Sequence, residues 1–163
     1  MIVGGYRRGK QENNDIDILL CPQQGREADF LEKAVKSLRQ NNIIIDILSL
    51  HQGHNLYPFH KAPNSNVMDS LDKCFAVVKV GDRARRVDLI VAPRKQWPFA
   101  VLGWTGSRRF ERSIREYAKK EKRYRLSSHG LYDENNNEIP AEDEEDIFKV
   151  LSLKYIKPEL RNC

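Results

Sequence analysis

Two aspartates stand at positions i and i+2 of an alternating polar and apolar run over residues 15–20. This alternation predicts a half-buried strand, so the side chains of Asp15 and Asp17 should emerge on one face. A third aspartate, Asp88, lies in another strand-like run over residues 86–92. Three carboxylates that converge from two strands form an all-oxygen site suited to Mg²⁺. For an Asp-x-Asp pair considered by itself, the ordinary alternative is a polar sheet face.

Glycines and cations directly precede the paired aspartates. Gly4 and Gly5 leave bare backbone that a large anion can approach without a Cβ in the way. Arg7, Arg8 and Lys10 supply three cations in the same short stretch. Together these residues predict a triphosphate site beside the metal site. A surface hairpin with ordinary charges is the alternative, but it does not explain why both features coincide.

A stripe of cations is predicted along a helix over about residues 107–122. At ~100° per residue, five cations fall within roughly 80° of the helix circumference. They are Arg108, Arg112, Arg115, Lys119 and Lys122. The opposite, buried side is expected to carry Phe110, Ile114, Tyr117 and Ala118. Glu111, Glu116 and Glu121 lie off the stripe, so we do not expect them to neutralise it. The stripe is therefore expected to follow a phosphate backbone, and a merely solvated helix face is the alternative.

Local patterns around these residues predict an α/β fold. Amphipathic spacing indicates a helix over residues 26–40, and a β-branched run over residues 43–48 indicates a short buried strand. Two further strands are expected over residues 74–80 and 86–92, joined by a hairpin connection over residues 81–83. The predicted helices and strands together form a sheet with helices packed against it.

The last part of the chain differs from the rest in charge. Basic residues dominate residues 103–125, whereas acidic residues dominate residues 126–163. Acids at residues 143–146 mark the start of a helix, where they are favourably placed near its N-terminus. That helix is expected to bury Ile147, Phe148 and Leu151. The change of charge near residue 126 predicts a boundary between a larger α/β unit and a small α/β appendage.

Residues 49–68 have no clear period and predict an unusually long loop, a length often associated with function. His51, His54 and His60 lie in this loop without an accompanying cysteine or acid cluster. We therefore expect these histidines to be mobile or DNA-facing and not to bind a metal ion.

Length and composition exclude several classes of protein. The chain has 163 residues and a net charge of +5, the size of one domain or of one domain with a small appendage. No run approaches the roughly 20 apolar residues that span a bilayer, so we expect no membrane partner. The first residues lack the apolar run of a secretory signal. Three scattered cysteines argue against a disulfide framework and fit a reducing compartment.

Taken in order along the chain, the motifs resemble those of the family X DNA polymerases. They are Gly4-Gly5-Tyr6-Arg7-Arg8-Gly9-Lys10, Asp15-Ile16-Asp17, Arg86-Val87-Asp88, Gly103-Trp104-Thr105-Gly106-Ser107-Arg108, Ser128-His129-Gly130-Leu131-Tyr132-Asp133, Glu144-Glu145-Asp146-Ile147-Phe148 and Tyr155-Ile156-Lys157-Pro158-Glu159-Leu160-Arg161-Asn162. The resemblance runs over residues 2–162 and is weakest over residues 49–70. The Gly103-Trp104 pair is similar to that of the polymerase mu and terminal transferase branch of the family.

The resemblance implies a nucleotidyltransferase-type palm over residues 1–126, with a mixed β-sheet and flanking helices. It also implies a small α/β thumb over residues 127–163. Asp15, Asp17 and Asp88 would then be the catalytic residues and would hold two Mg²⁺ ions, for which Mn²⁺ could substitute.

Substrate-binding residues are implied in the same way. The nucleotide-binding positions would be Gly4, Gly5, Arg8, Lys10, Gly103 and Trp104. The DNA-binding positions would be Lys79, Arg108, Arg112, Arg115, Lys119 and His129. Glycine at position 103 would leave room for a 2′-hydroxyl, so we expect weak discrimination against ribonucleotides. The loop over residues 49–68 would correspond to the family's loop that substitutes for a template strand or competes with it.

The function implied is the addition of nucleotides to a DNA primer 3′ end by two-metal phosphoryl transfer. Its partners would be primer–template DNA or DNA ends, nucleoside triphosphates and, in a full-length context, end-joining proteins of the nucleus. No counterpart of the family's helix-hairpin-helix, 8-kDa or BRCT regions precedes the palm, so weak DNA affinity and poor gap recognition are expected. Two alternatives are a nucleotidyltransferase acting on RNA ends or small molecules, and a catalytically weak DNA-binding palm–thumb fragment.

Overall fold

A computed structural model describes residues 1–52 and 71–163 of the chain. Its larger sheet contains β1 (Asp15–Leu20), β2 (Ile44–His51), β3 (Asp72–Val80) and β4 (Arg83–Val91). The strand order is β1-β4-β3-β2. Strands β1 and β4 run parallel, while the β2–β3 and β3–β4 pairs are antiparallel. The sheet is therefore mixed, which confirms the predicted fold class.

Five helices and a second, smaller sheet complete the described part of the chain. The helices are α1 (Gly4–Arg7), α2 (Phe30–Gln40), α3 (Trp97–Thr105), α4 (Arg108–Lys122) and α5 (Glu144–Val150). The smaller sheet contains β5 (Arg125–Leu126), β6 (Leu131–Tyr132) and β7 (Glu138–Ile139). Short 3-10 helices occupy Arg94–Gln96 and Pro158–Arg161. None of the helices in residues 1–52 and 71–163 has the length and apolar character needed to cross a bilayer.

The two faces of the larger sheet pack against different helices. One face packs on α2 through a cluster that includes Leu31, Val35, Cys74, Ala76 and Leu89. On the opposite face, α3 covers one half, where Leu19 and Ile90 are buried against Ala100 and Val101. Successive side chains of a strand alternate between faces. The other half of that face is not covered by α3. It carries the residues two and four positions before Leu19 and Ile90, which are Asp17, Asp15, Asp88 and Arg86.

A second hydrophobic core joins α3, α4 and α5 to the small sheet. Its buried members are Phe99, Leu102, Phe110, Ile114, Ala118, Leu126, Leu131, Ile147, Phe148 and Leu151. The predicted buried sides of α4 and α5 are thus confirmed, with Tyr117 packed at the margin of this core. Both helices carry side-chain N-caps, since Ser107 Oγ accepts from Phe110 N–H and Asp143 Oδ1 from Asp146 N–H. The division predicted at residue 126 stays a prediction.

Several predicted elements need correction. Strand β2 was expected to be buried, but it is the edge strand of the sheet, and Ile45 and Leu48 are more than half exposed. The predicted loop from residue 49 begins later, because β2 continues through His51. Helix α2 begins at Phe30, four residues after its predicted start. Helix α3 was not predicted at all.

Other predictions fall on residues 53–70. The remainder of the predicted loop, with His54 and His60, lies outside the described residues.

Candidate active site

The three aspartates lie on one face of the larger sheet, hereafter the aspartate face (Asp15, Asp17 and Asp88). Strands β1 and β4 pair in parallel, with Asp17 opposite Asp88 and Asp15 opposite Arg86. Paired residues on neighbouring strands point to the same side of a sheet. Asp88 is buried, whereas Asp15 and Asp17 are half-buried. The register therefore brings together three carboxylates that are 73 positions apart at most.

Electrostatic repulsion is strong at the aspartate face. The pKa of Asp17 is raised to about 6, first by burial and then by the negative charges of Asp15 and Asp88. The positive charges of Arg86 and Arg8 only partly oppose this rise. Such a cluster stays ionised most readily when a cation lies among the carboxylates.

Asp88 is held by a neighbouring arginine. Arg86 donates from Nε to Oδ1 and from Nη2 to Oδ2 of Asp88, both at 3.0 Å. The Arg86 guanidinium also lies 5.3 Å from the ring centroid of Phe75, on the adjacent strand β3. This bidentate pair fixes the Asp88 carboxylate on the aspartate face.

The donor set of the aspartate face fits a divalent cation. All of its oxygens come from carboxylates, the ligands that hard cations prefer, and their repulsion is only partly opposed by Arg86 and Arg8. With Asp88 turned towards Arg86, residues 1–52 and 71–163 contain no group of three or more histidine, cysteine or acidic side chains close enough to hold a metal ion. The three carboxylates are thus neighbours in the sheet without forming a complete set of metal ligands in the described residues.

The glycine turn folds directly over strand β1. Val3 N–H donates to Asp17 O at 2.9 Å, and Gly4 has a φ of +62°, a conformation that favours glycine. A Cβ on Gly4 would overlap the carboxylate of Asp17, and a Cβ on Gly5 would overlap the side chain of Asn13. Gly4 thus lies where only bare backbone fits, whereas a side chain at Gly5 would require the exposed Asn13 side chain to move.

Arg8 lies next to the aspartate face. Its Nη1 donates to Thr105 O, and its Nε donates to Asn162 Oδ1 at 2.9 Å. Burial lowers the pKa of the Arg8 guanidinium, while the charge of Asp17 opposes that change. Lys10, the other predicted triphosphate ligand, is exposed at the end of the same turn. Arg8 and Lys10 are therefore both near the start of β1, and Arg8 is the more firmly held.

The side chain of Arg7 binds Glu144, and not the triphosphate site that its position in the sequence predicts. Its guanidinium makes a bidentate ion pair with Glu144, at 3.1 Å from Nη1 to Oε1 and 2.9 Å from Nη2 to Oε2. Nη1 also donates to Thr105 Oγ1 at 2.7 Å. The expectation that Arg7 would contribute to a triphosphate site is not supported by this geometry, because its donors already bind a carboxylate and a hydroxyl.

Glu144 is the centre of a buried ion-pair network, hereafter the Glu144 network. Arg161, which is fully buried, donates to Glu144 Oε1 at 2.6 Å, and Tyr155 Oη donates to Oε2 at 2.9 Å. Burial alone would raise the pKa of Glu144, but the hydrogen bonds from Arg7 and Arg161 hold it below its ordinary value. The network joins helix α1 to α5 and to the 3-10 helix Pro158–Arg161. Sequence reasoning missed it, since no local pattern links residue 7 to residue 144.

Gly103 and Arg115 both lie next to Ser128, which is in the turn between β5 and β6. A Cβ on Gly103 would lie 2.7 Å from Ser128 Oγ and 3.4 Å from Arg115 Nη2. Arg115 Nη2 donates to Ser128 Oγ at 3.3 Å, and the buried His129 follows directly in the chain. Trp104 is half-buried, with Lys73 Nζ 6.0 Å from its ring centroid.

The cation stripe on α4 is partly neutralised, which corrects the sequence expectation. Glu111 Oε2 lies 3.4 Å from Arg115 Nη2, so this glutamate pairs with a member of the stripe. Burial raises the pKa of Glu111 to about 7, and the charges of Arg115 and Arg161 oppose that rise. Lys122 donates to Ser152 Oγ at 2.8 Å.

Four of the predicted DNA-binding cations are exposed. They are Lys79, Arg108, Arg112 and Lys119. Lys79 pairs with Ala84 across the β3–β4 hairpin, two positions beyond the pair of Val77 with Arg86. It therefore points to the same side of the sheet as the aspartate face.

An open cavity of about 220 Å³ adjoins the aspartate face. Tyr6, Asn14, Asp15, Arg85 and Arg86 are among its lining residues. Two arginines and the first predicted catalytic aspartate thus border one recess at the start of β1.

The chain is similar to known proteins along nearly its whole length. A family model described as "DNA polymerase beta palm" matches residues 1–94, and one described as "DNA polymerase beta thumb" matches residues 100–162. The chain is 38% identical over 185 residues to a "DNA nucleotidylexotransferase" of Xenopus laevis. The alignment covers 99% of the chain and 36% of that protein. It is 37% identical over 180 residues to the "DNA-directed DNA/RNA polymerase mu" of Homo sapiens, with the same two shares. The chain therefore spans about a third of the length of the curated relatives it matches.

Proposed function

Because the chain belongs to the family X DNA polymerases, we propose that it adds nucleotides to the 3′ end of a DNA primer. The observation that supports this most is the pairing of Asp17 with Asp88 on the aspartate face, where carboxylate repulsion is only partly opposed by Arg86 and Arg8. The carboxylate of Glu144, by contrast, is compensated by Arg7 and Arg161. A cluster of carboxylates whose repulsion is only partly opposed by the described residues is typical of a site that binds a positively charged ligand.

In the proposed mechanism, Asp15, Asp17 and Asp88 would hold two Mg²⁺ ions, for which Mn²⁺ could substitute. The chemistry supplied by such ions would be activation of the 3′-hydroxyl and neutralisation of charge on the triphosphate. Arg86 orients the Asp88 carboxylate through its two hydrogen bonds. Above pH 6 Asp17 is mostly ionised, so its carboxylate is available to a cation at neutral pH.

For the nucleotide, we propose that Gly4, Gly5, Arg8 and Lys10 bind the triphosphate. The Gly4–Asp17 approach leaves no space for a side chain, so the backbone itself lines this side of the site. Gly103 and Trp104 would lie against the incoming sugar. Weak discrimination against ribonucleotides remains part of the proposal on the family resemblance, although Ser128 lies where a Cβ of Gly103 would be.

For DNA, the proposal assigns the backbone contacts to Lys79, Arg108, Arg112 and Lys119. Their exposure leaves them available to phosphates, and contacts of this kind make binding strongly dependent on salt. Arg115 and His129 are assigned to the region of the nascent base pair. Arg115 must leave Glu111 and Ser128 to reach it.

The biological setting is proposed from the relatives. Their printed names include a nucleotidylexotransferase and a DNA/RNA polymerase, so template-independent addition belongs to the proposal. Repair by end joining, a nuclear location and end-joining protein partners rest on the family alone. The palm over residues 1–126 and thumb over residues 127–163 are retained as the proposed division.

Primer extension tests the proposed function. Wild-type protein with Mg²⁺ or Mn²⁺ is expected to extend a DNA primer, and Asp88→Ala is expected to abolish extension. Asp82→Ala, an exposed aspartate in the turn between β3 and β4, is the matched control and should retain wild-type activity. Equal extension by both variants would contradict the proposal.

One observation favours a second candidate, a catalytically weak DNA-binding palm–thumb fragment. The Asp88 carboxylate faces Arg86, and residues 1–52 and 71–163 present no complete metal-ligand group. If the protein binds DNA in a mobility-shift assay but extends no primer with either metal, this second candidate is supported.

A further inference from the structure

Arg8 is held in place by a residue from the opposite end of the sequence. Asn162 and Arg8 exchange two hydrogen bonds, since Arg8 Nε donates to Asn162 Oδ1 and Asn162 Nδ2 donates to Arg8 O, each at 2.9 Å. One side-chain amide thus holds both the guanidinium and the backbone of Arg8. An exchange of this kind fixes the side-chain rotamer together with the turn that carries it.

The guanidinium of Arg8 is oriented by these contacts. Nε is bound to Asn162 and Nη1 to the carbonyl of Thr105. Among the hydrogen bonds of residues 1–52 and 71–163, none involves Nη2. The charge of Asp17 acts on the pKa of Arg8 and that of Arg8 acts on the pKa of Asp17, so the group lies close to the aspartate face. One nitrogen of an anchored guanidinium is therefore left for an anion beside the carboxylates.

Asn162 lies in a segment that is itself held in place by hydrogen bonds. The preceding residue, Arg161, is fully buried, and its Nε and Nη2 donate to Ile156 O at 2.9 and 2.6 Å. Ser107 N–H donates to Arg161 O at 3.4 Å. Asn162 Nδ2 also approaches Glu159 O at 3.3 Å. The backbone of Asn162 is thus held by its buried neighbour Arg161, although the Asn162 side chain itself is exposed.

From this geometry we propose that Asn162 is a positioning residue for triphosphate binding. It holds the Arg8 guanidinium in the orientation that binds a phosphate oxygen, and it does not touch the reacting atoms. The inference rests on the proposed role of Arg8 in the nucleotide site. Without Asn162, Arg8 keeps its charge but gains rotamer freedom, which must be lost again when the triphosphate binds.

Nucleotide binding by Asn162→Ala tests this inference. The rotamer freedom that Arg8 regains predicts a Kd for dTTP with Mg²⁺ raised about two- to tenfold, measured by titration calorimetry. In primer extension, KM for dTTP should rise by the same factor while kcat stays within about twofold. The unfolding temperature should remain at the wild-type value, because the Asn162 side chain is exposed. Asn41→Ala is the matched control, since Asn41 is also exposed and donates to a backbone carbonyl, that of Ser37, at 2.8 Å.

A double-mutant cycle separates positioning of Arg8 from any other effect. Arg8→Ala alone should weaken dTTP binding, and adding Asn162→Ala in that background should weaken it no further. An equal loss in both backgrounds, or no loss with Asn162→Ala in the wild type, would overturn the inference while leaving the proposed function intact. A wild-type protein that binds no dTTP would overturn both.

Discussion

The aspartate face and the Glu144 network differ in how negative charge is compensated. At the Glu144 network, two arginines and a tyrosine donate to one buried carboxylate, and its pKa falls below the ordinary value. At the aspartate face, three carboxylates share two arginines, and the pKa of Asp17 rises to about 6. The first arrangement is complete within the chain, and so it stabilises the fold. The second leaves the pKa of Asp17 raised despite two nearby arginines, as is expected for the cation site that we propose.

The largest expected effect comes from removing a charge at the aspartate face. Asp17→Asn should lower kcat for primer extension by at least about 10³-fold, because a metal ion contributes several kcal/mol to transition-state stabilisation. The same change removes repulsion, so above pH 6 the free energy of unfolding in urea should stay equal or increase. If Asp17→Asn lost stability as well as activity, the aspartate face would be structural like the Glu144 network, and the distinction between the two regions would be contradicted.

The opposite result is expected for the Glu144 network. Glu144→Ala should lower the free energy of unfolding by about 3–5 kcal/mol, because it leaves the buried Arg161 without its carboxylate partner. Urea denaturation measures this directly. Glu145→Ala is the control, since this neighbouring glutamate is exposed in the first turn of the same helix, and it should lower the free energy of unfolding by less than about 1 kcal/mol. Similar values for the two variants would show that the network is not structural.

Glu111 lies between these two cases, because it is buried with a single ion-pair partner, Arg115. Its pKa is raised to about 7, mainly by burial, so the folded state retains a proton that the unfolded state releases above its ordinary pKa of 4.5. Stability contributed by this group is therefore lost as the pH rises from about 4.5 to 7.

Glu111→Gln removes that pH dependence. Relative to the wild type, the variant should gain about 3 kcal/mol of unfolding free energy between pH 4.5 and 7.5, with little further gain at higher pH. Urea denaturation at several pH values measures the difference. Glu116→Gln, in the exposed part of the same helix, should show no such gain. A difference that is constant with pH would contradict the assignment.

The smallest expected effect separates two adjacent lysines on α4. Lys119 belongs to the cation stripe, whereas Lys120 lies off it and pairs with Glu116. Lys119→Ala should weaken DNA binding two- to fivefold and reduce the slope of log affinity against log salt by about one. Lys120→Ala should change neither quantity. Equal effects would indicate that the helix binds DNA by its overall charge only.

The sequence predicts the strand that bears Asp15 and Asp17, but it does not predict the register between β1 and β4. Alternation around Asp15 and Asp17 predicts both the strand and the shared face, and the structure has the strand at Asp15–Leu20. The position of Asp88 directly opposite Asp17 depends on the pairing of two strands that are about 70 residues apart. Resemblance to a known family supplies that relation, whereas the alternation of either strand does not.

Other parts of the fold lack a local signal. The Arg7–Glu144 ion pair joins residues 137 positions apart, and such a contact is determined by tertiary packing. The β-branched run of β2 is typical of a buried strand, yet it lies at the sheet edge because strand order is a property of the whole sheet. Helix α3 is apolar on nearly all sides, with a proline near its start and a glycine inside it, so it shows no amphipathic period.

Magnesium binding without DNA or nucleotide tests the central claim most directly. Titration calorimetry with MgCl₂ at pH 7.5 should detect binding to the wild-type protein and to Asp82→Ala. Affinity should fall at least tenfold in Asp17→Asn, which removes one oxygen ligand and one negative charge. Equal Mg²⁺ affinity in the wild type and Asp17→Asn would contradict the account, because the aspartate face would then not be the metal site.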